Sequence, residues 1–248
     1  MKNAVCLITH KPNEKKEYLE FLNNFGSYDI YVIIDDNNNK YDDLKQQFTN
    51  IEFIQIENDL CINAGIMNLN FIALKKNVTG WDKSIYYFFE KNDLKQYKNI
   101  WFFEDDVYFH SEETILKIDN KYESQDILCN SSYKEENLKE WLWGHICKDI
   151  PFKPPYSCGM VCALRLSTKY FNCIHQYIDK YKKTFFLEAF FPTIAKKYDL
   201  ITTTKIPVEF SNIKYRTPVL KNDDVNVDYL YHPVKDISLH TTYRNSKK

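Results

Sequence analysis

Glycine is scarce in this chain. Five occur in 248 residues, at 26, 65, 80, 144 and 159, too far apart for a GxGxxG turn, a Walker A loop or a GxSxG elbow. Dinucleotide-binding, P-loop and nucleophile-elbow chemistry are excluded together. Cysteine is equally uninformative as a scaffold: the seven are odd in number, form no CxxC pair, and come nearest to one only in the loose Cys158/Cys162 spacing. Neither a disulfide framework nor a zinc ribbon is expected. Long apolar runs are missing too, and the first run, Ala4 to Ile8, lacks the length and flank of a signal peptide. The expectation is therefore a cytoplasmic protein without a transmembrane segment. Charge of one sign is also lacking, since 33 basic residues stand against 34 acidic ones for a net charge of −1. No general field attracts nucleic acid or an anionic membrane, so a bound anion must be held locally.

Aromatic residues are what the chain has in excess. Its 17 Phe, 19 Tyr and 4 Trp, with 44% hydrophobic residues overall, provide a sizeable core for one large domain or two small ones, at roughly 150 residues per domain. Ala4 to Ile8, Ile30 to Ile34 and Ile51 to Ile56 are strand-length apolar runs. Between them lie segments with helix-like spacing, first Tyr18, Leu19, Phe21, Leu22 and Phe25, then Leu44 and Phe48. This alternation predicts a mainly parallel sheet sandwiched by helices, an α/β domain. Further helices are expected over Ala64 to Lys76 and Ser84 to Phe89, followed by a central strand at Ile100 to Phe103. Beyond it the spacing predicts a helix at Glu112 to Asp119, strands at Asp126 to Cys129, Ser157 to Leu164 and Leu200 to Thr203, and helices at Ser167 to Lys182 and Leu187 to Lys197. The tail from Ile206 to Lys248 is weakly periodic and is expected to wrap the surface of a single domain spanning 1–248.

The most informative segment is Ile100-Trp101-Phe102-Phe103-Glu104-Asp105-Asp106-Val107-Tyr108-Phe109. Three adjacent carboxylates fall where a buried parallel strand ends, the edge at which open α/β sheets bind ligands. Like charges there call for a cation, and oxygen ligands suit Mg²⁺ or Mn²⁺, which can bridge a diphosphate. The plain alternative is a solvated acidic turn.

Strand, acidic triplet and Val-Tyr-Phe together resemble the Asp-x-Asp region of GT-A-fold glycosyltransferases, with Glu104-x-Asp106 in that frame and Glu in place of the first Asp. The resemblance implies a GT-A-like, Rossmann-like fold, Asp106 as the direct metal ligand, and Glu104 and Asp105 on the nucleotide side. Phe185-Phe186-Leu187-Glu188-Ala189-Phe190-Phe191-Pro192-Thr193 places one acid among apolar residues near a helix start, where desolvation raises a carboxyl toward general-base range. Its Glu-x-Phe-x-Pro-Thr context resembles the catalytic-base segment of inverting GT-A families; the alternative is a Glu held by the helix dipole. Tyr231-His232-Pro233-Val234-Lys235-Asp236 resembles the C-terminal histidine segment that completes the metal site, with His232 as ligand, Lys235 on a phosphate and His240 as the substitute. A surface-loop histidine is the alternative. The ends of the first two strands, Thr9-His10-Lys11 and Asp35-Asp36, are candidates for base and ribose, though Asp35 and Asp36 also fit the Asn37-Asn38-Asn39 turn. For the acceptor, Ser157-Cys158-Gly159-Met160 lies where the family contacts sugars, and Trp141, Trp143 and Tyr156 are stacking candidates or core.

The resemblance thus implies a Mn²⁺- or Mg²⁺-dependent glycosyltransferase of bacterial or large-virus type. It would move a sugar from a UDP- or GDP-sugar to a glycan or other hydroxyl acceptor with inversion, Glu188 deprotonating that hydroxyl. Two rivals stand beside it. A metal-dependent nucleotidyltransferase would use the same acids on a triphosphate, but Thr9-His10-Lys11-Pro12 is a poor phosphate loop. A noncatalytic sugar-binding protein on the same fold would need neither Glu188 nor Asp106.

Overall fold

The computed structural model describes residues 1–36, 39–64, 80–91, 96–135, 150–216 and 224–246. Six strands form one sheet: β1 (Lys2–Thr9), β2 (Tyr28–Ile34), β3 (Ile51–Gln55), β4 (Tyr97–Glu104), β5 (Ile127–Glu135) and β6 (Tyr156–Ser167), in the order β3-β2-β1-β4-β6-β5. The first four run parallel, and β6 is antiparallel to both β4 and β5. A mainly parallel sheet was expected; the reversed β6 was not legible, because a strand buried on both faces reads the same in either direction.

Alternation along the strands divides the interior into two cores. Ala4, Cys6, Tyr31, Ile33, Ile100 and Phe102 point to one face, where α3 (Asn58–Asn63), α4 (Gly80–Lys91), α6 (Thr168–Tyr181) and α7 (Leu187–Lys197) pack. Val5, Leu7, Val32, Ile34, Trp101 and Phe103 point to the other, against α1 (Lys16–Asn23), α2 (Asp42–Gln47) and α5 (Glu112–Lys121). Trp101 and Phe103 stack at 5.1 Å between ring centroids, and each full burial contributes roughly 1.5–3 kcal/mol. Arg165 of β6 is wholly buried: its two terminal nitrogens donate to Asp119 at 3.1 Å and to the carbonyls of Tyr122 and Gln125, while its Nε has no hydrogen-bond partner. It ties the reversed strand to α5.

Four expectations need correction. Leu200 to Thr203 forms no strand, only a single bridge from Thr202 to Ile127. The strand expected at Asp126 to Cys129 continues to Glu135. The one expected at Ser157 to Leu164 spans Tyr156–Ser167. The tail does more than wrap the surface: β7 (Asn212–Ile213), β8 (Tyr231–His232) and α8 (Ile237–Ser246) bury Tyr231, Val234, His240 and Tyr243 in a third small core with Tyr108. Its weak periodicity arises because a few aromatic anchors hold it and no continuous apolar stripe is needed. Most of the helix expected at Ala64 to Lys76, with Trp141 and Trp143, lies outside the described residues, whereas the one expected at Ser84 to Phe89 is α4. Among the described residues, no helix is long and apolar enough to cross a membrane, and the six described cysteines are free thiols.

Candidate active site

β4 ends at Glu104, and the next residues turn back at once, Val107 N–H donating to Glu104 O at 3.0 Å. Alternation puts Glu104 on the Phe102 face, where Trp81 of α4 donates Nε1–H to its carboxylate at 2.9 Å. Trp81 packs on both Phe102 and Phe191 of α7, so three elements meet beside this one acid. Asp105 turns the opposite way. Thr9 at the end of β1 donates to it at 2.5 Å, and Lys15 holds its carboxylate at 3.3 Å and its carbonyl at 3.2 Å. Asp105 therefore anchors the turn to β1 as well as bordering the cleft.

The tail brings the imidazole. Tyr108 and Tyr231 exchange both backbone hydrogen bonds, at 2.8 and 2.9 Å, and Val234 N–H donates to Asp106 O at 2.7 Å. This antiparallel clasp sets His232 beside Asp106, while the β7–β8 pairing supplies Lys214 O, 2.9 Å from Nδ1. Nε2 then faces Asp106 Oδ1 at 3.2 Å and Glu104 Oε2 at 3.5 Å. His240 is placed elsewhere: fully buried, its Nε2 lies 2.9 Å from Val234 O and its ring packs on Tyr18 and Tyr108. Of the two histidines, His232 is the one beside the carboxylates.

Electrostatics follow from this convergence. Burial opposes a charged imidazole at His232, but contacts with Asp106, Cys162 and Glu104 outweigh it and carry the group up to about 12. Burial likewise opposes ionisation of Asp106, yet His232 and the charges of Lys15 and Lys235 hold it below the ordinary carboxylate range. Lys235, itself exposed, thus lies within electrostatic reach of the acid. Glu188, in the first turn of α7, is raised to about 7, first by burial and then by the charge of Glu104, with His232 partly offsetting both. The rest of its segment is structural: Thr193 exchanges hydrogen bonds with the Ser157 backbone at 3.0 and 3.1 Å, and Phe191 O accepts from Tyr170.

A cleft of about 300 Å³ opens at this edge, lined by Ile8, Thr9, His10, Asp35, Trp81, Glu104, Asp105 and Asp106. Glu188 and His232 flank it without forming its walls. A larger hollow of about 580 Å³ lies by Tyr28, Asp29, Thr49 and Ile51, at the opposite ends of β2 and β3. It is remote from the clustered acids, so chemistry favours the smaller cleft. Asp36 turns into the following loop, accepting from Tyr41 at 2.5 Å and Asn39 at 2.6 Å, whereas Asp35 borders the cleft. The sugar-contact reading of Ser157 to Met160 meets a structural explanation: a Cβ on Gly159 would lie 2.3 Å from Ser131 Cα, so β5 and β6 approach closely there. Tyr156 donates to Phe152 O at 2.8 Å and packs on the core.

The residues present fit a divalent cation. Asp106 Oδ1 is buried and, despite its proximity to Nε2, makes no directed hydrogen bond, an orphaned acceptor that a metal ion satisfies. Lys15, Trp81 and Cys162 belong to this cluster and were not singled out as ligands in the sequence; nothing local marks them, since each arrives from a different element.

Together these features define a mainly parallel six-stranded α/β fold of the GT-A type. The sequence matches no protein-family model and no curated protein, but solved structures share the fold. A 4-diphosphocytidyl-2C-methyl-D-erythritol synthase from Anaerococcus prevotii aligns over 99% of this chain and 96% of its own, with a TM-score of 0.51 at 12% identity. An active-site mutant of LgtC aligns over 98% and 95%, with a TM-score of 0.50 at 11% identity. The galactosyltransferase LgtC with donor and acceptor sugar analogs covers the same shares at a TM-score of 0.48 and 12% identity. The fold is thus shared with the 4-diphosphocytidyl-2C-methyl-D-erythritol synthase and with LgtC.

Proposed function

We propose that this chain is a metal-dependent glycosyltransferase that moves a sugar from a UDP- or GDP-sugar to an acceptor hydroxyl with inversion. The observation that carries the reading is Glu188: a carboxyl raised to about 7, in electrostatic contact with the Glu104 and His232 cluster yet on a different element from the acidic turn. Near neutral pH it is partly ionised and able to take the acceptor's proton. Asp106, His232 and Glu104 would hold the divalent ion, Mn²⁺ or Mg²⁺, which would supply Lewis-acid neutralisation of the leaving diphosphate. Lys235 faces the same diphosphate, while His10 and Asp35 at the far side of the cleft meet the nucleoside. Asp105 contributes by fixing the turn through Thr9 and Lys15. Residues 206–248 complete the site from within the same domain, and the buried thiols fit a reducing, cytoplasmic setting.

Calorimetry with UDP and GDP, with and without Mn²⁺, tests the reading. Binding is expected only with the ion, with Asp106→Asn removing most of it and Glu104→Gln less. Equal affinity in EDTA refutes the metal role. A nucleotidyltransferase is the second reading, favoured by the likeness to the diphosphocytidyl-methylerythritol synthase fold. Pyrophosphate release from a nucleoside triphosphate, without turnover of any nucleotide sugar, would select it.

A further inference from the structure

β4 and β6 pair antiparallel as far as Phe103 and Ala163. One position further on, Cys162 and Glu104 stand across from each other, with the tail laying His232 over both. Cys162 is nearly buried, at 6% exposure. Its sulfur, a Glu104 oxygen and a His232 ring nitrogen all lie within 4.8 Å of one another. Asp106 Oδ1, unpartnered by any directed hydrogen bond, is 3.2 Å from His232 Nε2. Ligands of a tetrahedral ion with bonds of about 2.0–2.3 Å are separated by roughly 3.3–3.8 Å. Two of the spacings around Nε2 are already near that range, and the sulfur, within 4.8 Å, needs a side-chain adjustment of at most about 1 Å.

We propose that Cys162 is a direct ligand of the ion at this site, and that the ion bound most tightly is a thiophilic divalent cation of the Zn²⁺ type. Sulfur, imidazole and carboxylate form a mixed donor set that suits Zn²⁺ or Co²⁺, whereas Mg²⁺ prefers oxygen alone. Cys6, Cys129 and Cys158 are also buried thiols in strands, but among the described residues only Cys162 belongs to such a group. On binding, the Cys162 S–H bond and the Nε2–H bond of the charged His232 break, both protons leave to solvent, and the freed sulfur and nitrogen pairs form the metal bonds with no change of oxidation state. The inference deepens the metal reading above and rests on it only in needing an ion at this site. Its readout is spectroscopic, so absent sugar transfer would overturn that function and leave the ligand assignment standing.

The test uses the full chain, stripped of metal and titrated with Co²⁺. A near-ultraviolet thiolate-to-cobalt absorption band is expected, saturating at one ion per chain, displaced by Zn²⁺ and not by Mg²⁺. Cys162→Ser and Cys162→Ala should lose the band and weaken Zn²⁺ binding by roughly tenfold or more, since losses in the outer shell alone reach that scale. Mn²⁺ affinity, read by electron paramagnetic resonance, should change little. No band, a band unchanged in the Cys162 variants, or Zn²⁺ and Mn²⁺ affinities falling in parallel would overturn the proposal. Should both variants unfold by circular dichroism, X-ray absorption on the zinc-loaded wild-type chain decides: a sulfur neighbour near ~2.3 Å supports it, and a shell of only nitrogen and oxygen overturns it.

Discussion

Replacing Glu188 by glutamine should improve stability and abolish transfer. In the metal-free protein, burial and the neighbouring Glu104 carry its carboxyl from the ordinary 4.5 to about 7. Between those values the folded chain holds a proton that the unfolded chain releases. The Glu188 contribution to stability is therefore fully present below about pH 4.5, and it is lost as pH rises through about 7. At about 1.4 kcal/mol per pH unit the whole effect is about 3.5 kcal/mol, and water reaching this part-exposed side chain reduces it to about 1–2 kcal/mol. Glutamine has the same shape without the charge, so Glu188→Gln should unfold about 2–8 °C higher than wild type at pH 8 and alike at pH 4.5. Transfer should fall by about 10²–10⁴-fold, the scale of a lost general base, while nucleotide affinity in Mn²⁺ persists. Calorimetric melting at both pH values, paired with a transfer assay on a nucleotide-sugar panel, reads both effects. Undiminished turnover, or a variant less stable than wild type at pH 8, would refute the reasoning. A product keeping the donor's anomeric configuration by NMR would refute inversion.

The two histidines should separate cleanly: His232→Ala is expected to lose Mn²⁺ binding measured by calorimetry. His240→Ala, which empties a fully buried site between Tyr18 and Tyr108, should keep binding and lose about 2–4 kcal/mol of stability in urea titration. Gly159→Ala should cost about 2 kcal/mol or more by the same measurement, because its Cβ would meet Ser131 Cα at 2.3 Å; a neutral effect would show that β5 shifts without penalty.

The alternating strand and helix spacing of the first hundred residues made the sheet legible, since period 2 and period 3.6 are local properties of the chain. The acidic turn after β4 was legible for a related reason: three carboxylates closing an apolar strand need no partner to be conspicuous. Glu188 stood out in the same way, as one charge in an apolar run. The resemblance of the compact Tyr231-His232-Pro233-Val234-Lys235 run favoured His232 over His240, but no local feature of the sequence places either ring beside the acids.

Tertiary structure made that distinction. The Tyr108–Tyr231 clasp and the Val234 hydrogen bond to Asp106 O decide which histidine meets the carboxylates, through backbone pairings between residues more than a hundred positions apart. It also separated the acids by role, turning Glu104 toward Trp81 and Asp105 toward Thr9 and Lys15, and sent Asp36 into its own turn. The reversed β6 that sets Cys162 opposite Glu104 depends on the same long-range order. Composition and periodicity act over a few residues and therefore determined the elements and the candidate acids. Convergence of Glu104, Asp106, Cys162, Glu188 and His232 required four segments distant in sequence to pack together, and only the folded chain carries that information.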